Sequence, residues 1–118
     1  MKELLNKTSK LEPGIRTIFI INSKGEVLHY EERAGLKHII PKKIFLESSP
    51  IWNAVLGGIA EKMGEFVGKP KRLLIHFDKI DLILIPSKDF MMALTVDKDV
   101  DSEELARKVK KILAPTKK

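Results

Sequence analysis

The sequence has no cysteine and no glutamine, and aromatic residues make up only 6% of its 118 positions. Without cysteine there can be no disulfide, no thiol nucleophile and no cysteine-ligated zinc or iron–sulfur centre. That suits a reducing cytoplasm, which is the expected location. No apolar run approaches the roughly 20 residues that span a bilayer. The opening MKELLNKTSK lacks the apolar core of a secretory leader, so none is expected. Amides are scarce while 32% of residues are charged, a bias found in proteins of hot habitats. A thermophile source is the expectation.

Motifs for chemistry are equally scarce. There is neither a G-x-S-x-G nor an H-E-x-x-H pattern. The histidines at 29, 38 and 76 lie in separate predicted elements. His76, between Ile75 and Phe77, reads as a partly buried structural residue. The stretch from Gly64 to Lys69 faintly echoes a phosphate-binding loop, but its glycine spacing is short and Pro70 stands where Ser or Thr is needed. It reads instead as a helix end at Gly68. Asp81 sits oddly between Ile80 and Leu82, and a position beside a turn accounts for it. No catalytic residue, cofactor or metal is expected, and the chain reads as a non-enzyme.

What is present is a net charge of +6 and a pI near 9.6. The basic residues fall in three groups: Lys37, His38, Lys42 and Lys43; Lys69, Lys71 and Arg72; and the C-terminal lysines. Such a balance favours nucleic acid or acidic surfaces, though a lysine-rich thermophile surface gives the same total. Readers of single strands stack bases on exposed aromatics, and aromatics are rare here. Non-specific electrostatic binding of nucleic acid stays open as an alternative.

An apolar content of 43% over this length is enough for one domain, 1–118, with one core. The chain is organised around Lys71–Asp97, three apolar runs separated by turns at Asp78–Lys79 and Pro86–Asp89. The runs do not alternate with polar residues, so both faces of their sheet should be covered. A short helix over 2–11 ends at Pro13–Gly14. A hairpin follows, its strands Ile15–Ile21 and Glu26–Tyr30 joined by Asn22–Gly25. Residues 34–49, broken by Pro41, show no clean period. They are expected to form a loop, with one helical turn after Pro41 at most, and to be the most mobile internal segment. The last helix opens at Asp101 and Glu104, in a capping-box pattern, and closes at Pro115.

Ile51–Val67 is the longest helical pattern, with Ser48 or Ser49 as cap and Pro50 near its first turn. Trp52, Val55, Leu56, Ile59, Met63, Phe66 and Val67 share a broad face that belongs on the sheet. Asn53, Gly57, Ala60 and Gly64 form a strip of small residues beside it. Glycine inside a helix costs about 1 kcal/mol relative to alanine. Gly57, Gly58 and Gly64 therefore call for compensation, and close approach of another helix would supply it. The alternative is that they relieve crowding over the sheet.

The order of elements and the stretches LEPGIRTIFIINSKGEVLHY and DLILIPSKDFMMALTV, with the glycine-bearing helix between them, resemble the Roadblock/dynein light chain family in an archaeal-type form. The resemblance covers almost the whole chain and departs at residues 31–50, which are long for the family. It implies a profilin-like α+β fold, a five-stranded antiparallel sheet sandwiched between the central helix and the two terminal helices. It also implies a non-enzymatic dimerisation or scaffold module that regulates or binds a small Ras-like GTPase. Its partner would be a second copy or a similar domain, joined through the central helix and the following strand. Asn53, Gly57, Ala60, Gly64, Lys71, Leu73 and Ile75 are the expected interface residues. A small-ligand sensor is the remaining alternative.

Overall fold

The apolar runs become strands, the second and third buried on both faces and the first half-buried. In the computed structural model, which describes residues 1–113, the elements are α1 (Lys2–Ser9), β1 (Ile15–Ile21), β2 (Val27–Glu32), α2 (Lys42–Val67), β3 (Leu73–His76), β4 (Ile80–Pro86), β5 (Met91–Asp97) and α3 (Ser102–Leu113). The strands form one antiparallel sheet in the order β2-β1-β5-β4-β3. Strand β5 lies at its centre and is buried from Met91 to Val96. Side chains alternate across the sheet. Ile18, Ile20, Ile83, Ile85, Met92 and Leu94 pack with Leu5 of α1 and with Leu105 and Val109 of α3. Phe19, Ile21, Leu82, Leu84, Met91 and Ala93 face α2. The helix–sheet–helix sandwich inferred from the unbroken apolar runs is the observed one.

The β1–β2 hairpin turns as its sequence requires. The Asn22 side-chain oxygen accepts N–H bonds from Lys24 at 2.9 Å and Glu26 at 3.0 Å, and Gly25 takes φ +85°, a left-handed conformation that suits glycine. At the start of α3, the Asp101 carboxylate accepts the Glu104 N–H at 3.1 Å, one half of the expected capping box. The expected stop at Pro115 lies outside the described residues.

Helix α2 is the main correction. It starts after Pro41, not at Ile51, so residues 42–49 are helix and not loop. Ser48 and Ser49 are not caps. The Ser48 hydroxyl donates to Ile44 O at 2.7 Å, and the Ser49 hydroxyl to Gly25 O at 2.8 Å. Pro50 therefore lies inside the helix, where it has no N–H for the Leu46 carbonyl. Ser49 Oγ stands 3.2 Å from that carbonyl. Tertiary contacts hold this turn together. Phe45 is buried, its ring centroid 4.7 Å from that of Phe19, which also meets Tyr30 at 4.8 Å and Trp52 at 6.1 Å. Only residues 34–41 of the expected loop remain irregular.

Candidate functional site

The second half of α2 cannot reach the core. A helix of 26 residues is about 39 Å long at 1.5 Å per residue. A strand of 7 residues spans about 23 Å. Of the broad face expected on the sheet, only Leu56 is buried, at 6% exposure, and Trp52 is half-buried. Val55, Ile59 and Met63 are exposed, and Phe66 and Val67 reach 81% and 74%. Ile51 adds to this surface. The helix ends as expected at Gly68, with φ +90° and its N–H on Gly64 O at 2.8 Å.

The small-residue strip is divided in the same way. Asn53 is tied to its own chain, its amide donating to Ser23 O at 2.9 Å. At Gly57, Gly58 and Gly64 an added Cβ would meet nothing within 4 Å. The reading in which these glycines relieve crowding over the sheet fails, since there is no crowding. Ala60 is half-buried. Lys71 is exposed just before β3, while Leu73 and Ile75 are half-buried and pack against the α2 side of the core. Strand β3 pairs only with β4 among the described residues, so its outer row of backbone N–H and C=O groups is open. Phe77, just past it, is exposed.

Two carboxylates anchor other parts of the sheet. Asp81 is 3% exposed and is not explained by a neighbouring turn. It accepts bonds from Lys98, from Ser102 Oγ at 2.8 Å and from His76 Nδ1 at 3.0 Å. Burial alone would push its carboxyl up, but these donors outweigh burial and hold it below the usual carboxylate range. His76 is thus a largely exposed side chain held by its contact with Asp81, not a partly buried one. Asp97, half-buried, binds Arg16 at 2.9 Å and Arg33 at 3.1 Å. Its burial is likewise outweighed, and its carboxyl is also held low. The sequence signal for Asp81 was its place inside an apolar strand; nothing local pointed to Lys98 or Ser102. Both clusters are internally matched and offer no open coordination. Among the described residues no group of three His, Asp or Glu side chains could hold a metal ion, and no helix is long and apolar enough to cross a membrane.

No protein-family model matches this sequence, and no curated protein matches it. Solved structures do match. The gliding protein MglB from Thermus thermophilus is similar with a TM-score of 0.74 at 14% identity, covering 96% of this chain and 84% of that one. A Roadblock/LC7 domain from Streptomyces avermitilis is similar with a TM-score of 0.70 at 11% identity, covering 96% and 91%. An MglB described with a tetrameric arrangement is similar with a TM-score of 0.69 at 15% identity, covering 95% and 86%. The fold is therefore that of the Roadblock/LC7 domains.

Proposed function

We propose that this protein is a non-enzymatic scaffold of the Roadblock type, which pairs with a second copy or a similar domain and serves as a platform for a small Ras-like GTPase. The observation that carries the pairing is the overhanging half of α2. It joins exposed apolar side chains to glycines that face open space, beside an unpaired β3 edge. Exposed apolar patches of this kind mark interaction sites. Burying each large side chain fully is worth about 1.5–3 kcal/mol, enough to offset the helix cost of the glycines. A two-fold axis beside β3 would set α2 against its copy and join the two β3 edges. Gly57, Ala60 and Gly64 then allow close approach, Val55, Ile59, Met63 and Phe66 supply apolar area, and Leu73 and Ile75 lie beneath. Lys71 falls at the rim. Asn53 marks the boundary where the helix returns to its own chain.

The GTPase part of the reading is supported by the likeness of the fold to MglB. A stacking platform for nucleic acid finds less support, since four of the aromatic side chains, Phe19, Tyr30, Phe45 and Trp52, are gathered in one cluster between α2 and the sheet.

Sedimentation of the wild type and of Ala60→Glu tests the pairing. The wild type should sediment as two chains. The variant, forced to bury an unpaired charge at a cost of about 3–5 kcal/mol, should be a folded monomer, or unfolded if pairing is obligate. A monomeric wild type, or a variant pairing equally tightly, overturns the reading. Calorimetric titration with a Ras-like GTPase purified from the same source tests the platform, and no binding in either nucleotide state rejects it.

A further inference from the structure

The exposed apolar side chains of α2 have a regular spacing. Ile51, Val55, Ile59, Met63 and Val67 recur at every fourth residue, and all five are exposed. Side chains four apart form a ridge along a helix, and such ridges pack into the grooves of a neighbouring helix. This ridge carries no charge and is symmetric about its midpoint, Ile59, with two apolar positions on either side. A two-fold axis beside Ile59 therefore maps the ridge onto itself.

The surroundings of Ile59 fit that axis. Its neighbours Gly57, Gly58 and Ala60 are small, and a Cβ added at either glycine would meet nothing within 4 Å. Low walls beside the central side chain let two helix axes approach to about 8 Å, the short end of the usual range. Charge fits as well. A surface that meets itself must keep charges off the axis, because like charges would face each other there. No charged residue occurs between Glu47 and Glu61. In an antiparallel copy, Glu61 and Lys62 fall opposite the copy's Gly57 and Leu56 and not opposite themselves, and the helix dipoles favour that sense. The open outer edge of β3 needs another strand edge, and the same axis supplies one.

Building on the pairing proposed above, we infer that the partner is a second copy of this chain and not merely a similar domain, with its α2 antiparallel and the two-fold axis passing beside Ile59. Ile59 meets the copy's Ile59, and Val55 meets the copy's Met63. Ile51 and Val67 lie at the two margins of the contact, where the crossing helices diverge.

Disulfide formation between single cysteines tests this arrangement, because the chain has no cysteine of its own. Facing Cα atoms must come within about 7 Å for the bond to form. Ile59→Cys, Val55→Cys and Met63→Cys are oxidised separately, and the last two also as an equimolar mixture. Leu46→Cys, exposed but off the ridge, is the control. Crosslinking is followed on non-reducing gels, and wild type and the reduced variants are sedimented in parallel. Ile59→Cys should crosslink at least tenfold faster than Leu46→Cys, and the mixture several-fold faster than either of its components alone. Two results would overturn the arrangement while leaving the pairing intact: a two-chain wild type in which position 59 crosslinks no faster than position 46, or Val55→Cys alone crosslinking as fast as the mixture. A monomeric wild type overturns both. The mixture retains Ile59 in both chains, so it decides the register even where Ile59→Cys itself weakens pairing.

Discussion

The first half of α2, residues 42–56, is fastened to its own chain by Phe45, Ser49, Pro50 and Asn53. The second half, residues 57–67, carries exposed Ile59, Met63, Phe66 and Val67, and glycines at 57, 58 and 64 facing open space. One continuous helix thus contains a segment stabilised against its helix propensity by tertiary contacts and a segment that lacks such contacts. Pro50 is tolerated because the turn around it is clamped on Gly25. The same kind of penalty at Gly57, Gly58 and Gly64 has no compensation within the chain. Residues with unfavourable propensity mark close packing in the first half and call for a partner in the second.

The largest expected effect comes from breaking the clamp. A Cβ at Gly25 would lie 2.7 Å from Pro50 Cα, in a left-handed conformation. Gly25→Val should therefore cost about 3 kcal/mol from strain and overpacking together, read as a lowered denaturant midpoint. A cost of less than about 1 kcal/mol, the low end for overpacking, would mean the first half is not clamped there.

Next in size is Asp81→Ala, which leaves the buried Ser102 hydroxyl without its acceptor while the exposed Lys98 and His76 regain water, and should cost about 2 kcal/mol. The same anchors predict a pH dependence. The carboxyls of Asp81 and Asp97 are lower in the folded chain than their ordinary value of 3.8. Their contribution is therefore complete above that value and is lost as pH falls through the lowered folded values. Denaturation followed from about pH 7 downward should show stability falling below about pH 4, and Asp81→Ala should flatten that fall.

Smaller and opposite in sign is Gly58→Ala. With nothing near its Cβ, it should stabilise a monomeric background such as Ala60→Glu by about 1 kcal/mol. The contrast between glycines 25 and 58 is thereby measurable as a change of sign. Hydrogen exchange gives the finest comparison. Amides of residues 45–56 should be protected in any folded form, whereas those of 58–67 should gain protection only in wild type that has paired. Equal protection of both halves in the monomer would remove the distinction.

Much of this molecule was legible in local pattern. Unbroken apolar runs at 73–77, 82–85 and 90–94 demanded a sheet covered on both faces, because a wet face would require alternation. Asn22–Gly25 required a turn, Gly68 a helix end and Asp101 a helix start, since each rests on bonds or torsions within a few residues. The arithmetic of the glycines also survived: their cost depends only on being helical. Three things were decided by residues distant in sequence. Residues 42–49 look like loop because they show no clean period after Pro41, and they are helix because Phe45 stacks on Phe19 and Ser49 bonds Gly25 across the fold. Asp81 looks like a turn residue until Lys98 and Ser102 arrive from beyond β5. The apolar face of α2 shows a side that avoids water, but not which part of it the sheet is long enough to cover. Periodicity records what a side chain avoids, and only the placement of the helix against a sheet of finite length determines which of those side chains remain for a partner.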